Sequence, residues 1–262
     1  MGANELFSIE GKVAVVTGGS RGIGLMIARG FVESGARVYI SSRKADACDA
    51  SAKELSAIGE CISVPADLSN EDGAKHLADQ VSERETELHI LVKNAGAAWG
   101  APLEEYPDAA FDKVMNTNVK GVFHVTRHFL PLLRKAARDH DPARVINIGS
   151  IEGLRPPFWE NYAYPASKAA VHMLTRHLAH RLVGDGISVN AIAPGLFPSK
   201  MTQFVFDSGS GEAEHAVLDH IPMGRAGEPE DMAGIAIFLA SKASAYLTGA
   251  VIPVDGGIST TQ

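Results

Sequence analysis

Val13-Ala14-Val15-Val16-Thr17-Gly18-Gly19-Ser20-Arg21-Gly22-Ile23-Gly24 reads as a short apolar β-strand running into a glycine-rich turn. A helical pattern follows from Leu25 to Ser34, Gly35 supplies a helix-ending residue, and Arg37-Val38-Tyr39-Ile40-Ser41 reads as a second strand. The unit is strand, helix, strand, with glycines at the first turn. Such glycines let backbone N–H groups approach a pyrophosphate, whose charge the helix N-terminus favours. The spacing from Gly18 to Gly24, G-x-x-x-G-x-G, differs from the commoner G-x-G-x-x-G fingerprint. Alone it also fits a purely structural loop.

The alternation continues outward. Helix-like 45–58 leads to Cys61-Ile62-Ser63-Val64 and then Ala66-Asp67-Leu68; helix-like 70–86 leads to His89-Ile90-Leu91-Val92 and then Lys93-Asn94-Ala95-Gly96. A long helical stretch over 108–137 precedes Arg144-Val145-Ile146-Asn147-Ile148, which ends in Gly149-Ser150. A helix from Tyr164 to about Val183 precedes Ile187-Ser188-Val189-Asn190-Ala191-Ile192, and Val251-Ile252-Pro253-Val254 is the last strand. Apolar strands alternating with helices predict an α/β chain: one Rossmann-type domain over 1–262, a doubly wound parallel sheet of about seven strands with helices on both faces. Ligands of such sheets bind beyond the strand C-terminal ends. The glycine turn, Asp67, Asn94, Ser150 and Pro194-Gly195 all fall there.

A net charge of -7 argues against a nucleic-acid backbone or an anionic membrane as the main partner. No apolar run has bilayer-spanning length, and Met1-Gly2-Ala3-Asn4-Glu5-Leu6 lacks a secretory pattern, so a cytoplasmic protein is expected. Cys48 and Cys61 have no metal-ligand spacing; His124/His128 and His177/His180 lack an H-E-x-x-H context. No metal is expected.

Tyr164-Pro165-Ala166-Ser167-Lys168 places a phenol and an ammonium four residues apart, on one face of a helix. A free tyrosine has a pKa of roughly 10; a nearby ammonium favours phenolate and brings it toward the range of a general acid or base. Tyr162 is the competitor, but Ala166 stands four residues beyond it. Alone, the pair also describes an ordinary aromatic and a snorkelling lysine. Pro165 puts the tyrosine near the helix start or at a slight kink.

Thr17 to Gly24, Lys93-Asn94-Ala95-Gly96, Asn118, Ser150, Tyr164 with Lys168, and Pro194-Gly195 resemble, in order and spacing, the short-chain dehydrogenase/reductase family. Pro194-Gly195-Leu196-Phe197-Pro198-Ser199-Lys200-Met201-Thr202 and Ile221-Pro222-Met223-Gly224-Arg225 resemble its 3-oxoacyl reductase subgroup. The resemblance implies that Tyr164 gives a proton to the carbonyl oxygen. Lys168 would lower its pKa and bond the nicotinamide ribose, Ser150 would bond the substrate carbonyl, and Asn118 would anchor a water leading from Lys168 to solvent. It also implies a nicotinamide cofactor along Gly18, Ser20, Arg21, Gly22, Ile23, Gly24, Ser42, Arg43, Asp67, Leu68, Asn94, Ala95, Gly96, Tyr164, Lys168, Pro194 and Gly195. The second strand ends Ile40-Ser41-Ser42-Arg43 with no carboxylate for a ribose 2′-OH. Arg21 and Arg43 suit a 2′-phosphate, so NADPH is expected over NADH. One departure is Lys93, where the family usually has asparagine. It leaves open whether the cation faces solvent or the cofactor phosphates.

Trp99, Leu154, Arg155, Phe158, Trp159, Leu196, Phe197, Met201 and Phe204 are expected around the substrate. That largely apolar set fits a 3-oxoacyl thioester or other hydrophobic ketone; the alternative is that several of these residues simply pack the core. A lid is expected within 196–225, chiefly 203–220 around Gly209 and Gly211. Arg134, Lys135 and Arg138 would either meet an acidic acyl carrier protein or form a solvated helix end. The resemblance implies a homotetramer pairing helices 108–137 and 164–183. Alternatives are an alcohol or polyol dehydrogenase working oxidatively, a nucleotide-sensing regulator, and a serine hydrolase. The regulator is disfavoured by the filled tetrad; the hydrolase is disfavoured because Gly149-Ser150-Ile151-Glu152-Gly153 is not G-x-S-x-G.

Overall fold

The computed structural model describes residues 2–157, 159–203 and 217–260. Its centre is a seven-stranded parallel sheet in the order β3-β2-β1-β4-β5-β6-β7. The strands are β1 Val13–Thr17, β2 Arg37–Ser41, β3 Cys61–Ser63, β4 Ile90–Lys93, β5 Ala143–Ile148, β6 Ile187–Pro194 and β7 Val251–Val254. The chain runs outward from β1 to β3, then returns to place β4 beside β1. The break in strand order opens a crevice at the C-terminal ends of β1 and β4.

Successive strand residues point to opposite faces, and both faces are covered. Val16, Ile40, Val92, Ile146 and Ile192 pack on one side with helix α2 (Gly22–Glu33) and α8 (Pro229–Ala240). Val15, Tyr39, Leu91, Val145 and Val189 pack on the other with α4 (Glu71–Ser82), α6 (Gly121–Ala136) and α7 (Ala163–Leu182). Among the described residues the remaining α-helices are α1 (Ala3–Phe7), α3 (Ala45–Leu55) and α5 (Asp108–Met115). Among the described residues no helix is long and apolar enough to cross a membrane.

Two elements differ from the sequence expectation. The stretch 108–136 is helical throughout, as expected, but a π segment over Asn116–Lys120 interrupts its period between α5 and α6, and Asn118 within it is buried. α8 has no counterpart in the sequence reading. It begins with Pro229 in its first turn behind a Glu228/Asp231 capping box. It packs so closely on α2 that a Cβ at Gly30 would lie 2.6 Å from that of Ala233.

Lys93 faces neither solvent nor the crevice. It is 2% exposed, and its Nζ donates to Val122 O at 3.3 Å and to Thr126 Oγ1, both on α6. Burial without a counter-ion pushes its pKa down to about 7. Between that value and the ordinary lysine value of 10.5 the unfolded chain binds the extra proton, so stability falls as pH drops through this window. Lys93→Met should therefore raise the melting temperature at pH 7 and flatten its rise toward pH 9.5. The wild-type-minus-variant slope should approach roughly 1.4 kcal/mol per pH unit at most; denaturant titrations across that range check it.

Candidate active site

The glycine turn is fixed by its neighbours. Asn94, just past β4, donates from Nδ2 to Thr17 O and Gly18 O, both at 3.1 Å. The Thr17 hydroxyl accepts from the backbone N–H groups of Asn94 and Ala95 at 3.0 and 3.1 Å. Gly18 has φ +66°, and a Cβ on Gly24 would lie 2.2 Å from Gly18 O and 2.4 Å from the Asn94 amide nitrogen. No side chain fits there.

This turn borders a cleft of about 470 Å³ lined by Gly18, Ser20, Arg21, Gly22, Ile23, Ser42, Arg43, Asp67, Leu68, Asn94, Ala95, Gly96, Ser150, Tyr164, Lys168, Pro194 and Gly195. Gly24 stands behind it as the packing glycine. Arg21 and Arg43 are exposed, and neither has a carboxylate partner among the described residues. Lys44 and Ser199-Lys200 also border the cleft. The sequence reading passed over them, although their positions after β2 and after Pro194-Gly195 are the available signal.

The four expected catalytic residues converge. Tyr164 sits in the first turn of α7, where Pro165 costs no helix hydrogen bond. Its hydroxyl faces the Ser150 side chain, the one neighbour that lowers its pKa. Lys168 Nζ lies 5.4 Å from the centre of the Tyr164 ring and donates to Ile148 O at 2.8 Å. Asn118 is spoken for: Oδ1 accepts from Ala97 N at 2.8 Å, and Nδ2 donates to Ala97 O and Ser167 Oγ at 2.9 Å each. A water link from Asn118 to Lys168 would use its main-chain carbonyl or the second lone pair of Oδ1. Tyr162 stays outside, with its hydroxyl on Glu160 and its ring edge-on to Tyr106.

Electrostatics reverse one expectation. The Tyr164 pKa is pushed up, first by burial and then by the Glu152 carboxylate, with only the Ser150 side chain opposing. Burial lowers Lys168 to about 8. The phenol is thus held protonated at neutral pH. Behind Ser150, Gly149 and Gly153 leave room for the His172 ring, whose pKa burial lowers to about 4.

A second cavity, about 630 Å³, opens beside the cleft and shares with it Ser150, Tyr164, Pro194, Gly195, Met201 and Thr202. Trp99, Trp159, Arg155, Leu196 and Met201 line it. Phe197 does not. It is 2% exposed within the core, and a Cβ at Gly227 would touch its ring at 2.3 Å, so it supports the cleft from below. Leu154 is exposed outside the lining. Phe158 and residues 204–216 of the expected lid, Phe204 among them, lie outside the described residues. Glu152 and Asn161 also line the cavity, and the sequence reading missed both. At the far end of α6, Arg134 pairs with Asp185 at 2.8 Å and Arg138 with Glu87 at 2.6 Å, which leaves less free positive charge than the sequence implied.

The fold, the glycine cleft and the Tyr–Lys–Ser–Asn grouping are those of a short-chain dehydrogenase/reductase, and the chain belongs to that family. Residues 18–259 match the family described as enoyl-(acyl carrier protein) reductase. Over 96% of its length the chain is 54% identical to the Pseudomonas aeruginosa rhamnolipids biosynthesis 3-oxoacyl-[acyl-carrier-protein] reductase, 97% of which is covered. It is 40% identical to the galactitol 2-dehydrogenase (L-tagatose-forming) of Cereibacter sphaeroides, with 96% of each chain covered. Among solved structures, the Pseudomonas aeruginosa RhlG/NADP active-site complex superposes with a TM-score of 0.94 at 53% identity, covering 97% of this chain and 99% of that one.

Gly24→Ala should force Gly18 and Asn94 apart. NADPH affinity, measured by fluorescence enhancement, should fall by at least about tenfold, alongside a lowered melting temperature.

Proposed function

We propose that the chain is an NADPH-dependent ketoreductase that turns a 3-oxoacyl thioester or similar hydrophobic ketone into the secondary alcohol. The observation that carries this reading is the place of Tyr164 and Ser150, on the wall shared by a glycine-lined cleft and a largely apolar cavity. A dinucleotide fits the cleft, since the glycines leave a bare backbone cradle and the end of β2 offers arginine rather than carboxylate. Bound there, it supplies the hydride that no side chain can. Arg21 and Arg43 would hold the 2′-phosphate, and Asp67 and Leu68 would border the adenine. Tyr164 would give its proton to the carbonyl oxygen, Ser150 would donate to the same oxygen, and Lys168 would steady the ribose and the phenol.

A neutral phenol carries the proton that carbonyl reduction takes up. Oxidation of a polyol, the activity named for the Cereibacter relative, would need the phenolate first and a more polar cavity. With Arg134 and Arg138 paired, a small thioester is the simpler substrate than one presented by an acyl carrier protein. A homotetramer in the cytoplasm is proposed from the family alone.

Tyr164→Phe should still bind NADPH but lose roughly a thousandfold in kcat for ketone reduction; unchanged turnover would remove the acid assignment. Arg43→Ser should weaken NADPH by about tenfold while altering NADH much less, measured as the ratio of the two Kd values. An NADPH-consumption screen of 3-oxoacyl thioesters, aromatic ketones and ketoses decides the substrate class.

A further inference from the structure

Glu152 follows Ser150 by two residues, on a short turn whose backbone N–H donates to the Ser150 hydroxyl at 3.1 Å. It is the only carboxylate among the described residues lining the 630 Å³ cavity. Its Oε2 accepts from Asn161 Nδ2 at 2.8 Å, and Oε1 has no donor among the described residues. Asn161 Oδ1 is buried and has no hydrogen-bond partner. The amide orientation is dictated by its neighbour: a carboxylate can only accept, so the amide nitrogen faces it and the amide oxygen is left over. The Asn161 oxygen is enclosed, whereas Glu152 is half-buried and lines the cavity, so its Oε1 is the acceptor open to a ligand beside the serine and tyrosine of the catalytic group. A carboxylate oxygen that faces a largely apolar cavity without a donor favours a partner that donates.

Arg155, which shares the cavity, gives Nη1 to Ile258 O at 2.7 Å. The cation whose field reaches Glu152 is Lys168, on the cleft side. Arg155 keeps its charge, but Glu152 and not Arg155 is the charge that acts on Tyr164, so a substrate carboxylate placed beside the reacting carbonyl would meet like charge there.

We infer that Glu152, held in place by Asn161, is an acceptor subsite that receives an uncharged O–H or N–H donor carried by the substrate near its reacting carbonyl, and that rejects a carboxylate at that place. Two substrate types carry such a donor, an α-hydroxyketone and an acyl thioester whose amide follows the sulfur. This inference rests on the ketoreductase reading for the whereabouts of the carbonyl, but its test does not depend on turnover.

Both tryptophans of the chain, Trp99 and Trp159, line the cavity, so intrinsic fluorescence reports its occupancy. The NADP+-loaded protein, which has no hydride to give, is titrated with 1-hydroxy-2-octanone, with 3-oxooctanoyl-N-acetylcysteamine and with 2-oxooctanoate. At least one of the two donors should bind about tenfold or more tighter than the oxo acid, and which one does identifies the source of the donor. Glu152→Gln keeps the bond to Asn161 through its amide oxygen and removes the charge. It should reduce that ratio to about threefold or less, by gaining affinity for the oxo acid. The inference is overturned if the wild type binds 2-oxooctanoate as tightly as both donors, if it binds none of the three, or if the variant keeps the wild-type ratio. A protein that sorts these ligands yet consumes no NADPH would instead refute the reductase reading alone.

Discussion

The hydrogen-bonded latch between Thr17 and Asn94 underlies the rest of the site. It ties the ends of the two central strands, β1 and β4, where the order of the sheet breaks. From Asn94 the chain passes through Gly96 to Ala97, which the Asn118 amide grips from both sides. Asn118 in turn donates to Ser167, and the Ser167 hydroxyl donates to Tyr164 O at 2.7 Å, in the first turn of α7. A continuous set of bonds therefore runs from the phosphate-sized turn to the backbone of the proton donor. Such a set gives the cleft and the phenol one common frame, which is what positioning for a transfer between two bound molecules demands.

Within that frame the dominant electrostatic effect is desolvation. Two lysines are buried to nearly the same degree, and both have lowered pKa values, yet their surroundings differ. Lys93 ends β4 under α6, with only a hydroxyl and a carbonyl for company. Lys168 borders an open cleft, feels the Glu152 carboxylate, and keeps a higher pKa. The first is tolerated by losing its charge; the second can keep it where a ribose and a phenol would use it. The same desolvation, helped by Glu152, outweighs any pull of Lys168 on the Tyr164 proton. Spacing alone pointed the other way, because a pair of side chains on a helix face says nothing about how much water surrounds them.

The fold was legible because every position of β1, β4, β5 and β6 is apolar or buried, and such strands announce a sheet covered on both faces. α8 was not, because Met232, Ile235, Ala236, Ile237, Phe238 and Leu239 spread around the helix and leave no polar stripe to count. Its one local mark, Glu228-Pro229-Glu230-Asp231, is a cap rather than a period. The π segment at Asn116–Lys120 escaped for a related reason, since a single extra residue in a turn leaves residue preferences unchanged. Phe197 was misplaced because an aromatic after a strand end looks alike whether it lines a cavity or fills the core; the bare Gly227 against its ring decides, 30 residues downstream.

The catalytic group came through because its members belong to the scaffold: strand ends, a helix start, a turn between helices. Glu152 and Asn161 did not, because both sit in irregular chain between β5 and α7, where no period or motif distinguishes a binding residue from a solvated one. Their meaning lies in a count of hydrogen bonds, one carboxylate oxygen and one buried amide oxygen without donors, and that count exists only once the chain is folded. The division follows from how such proteins are built. A sheet edge fixes the chemistry for every member of a family, while the loops above it are free to choose the molecule on which the chemistry is performed.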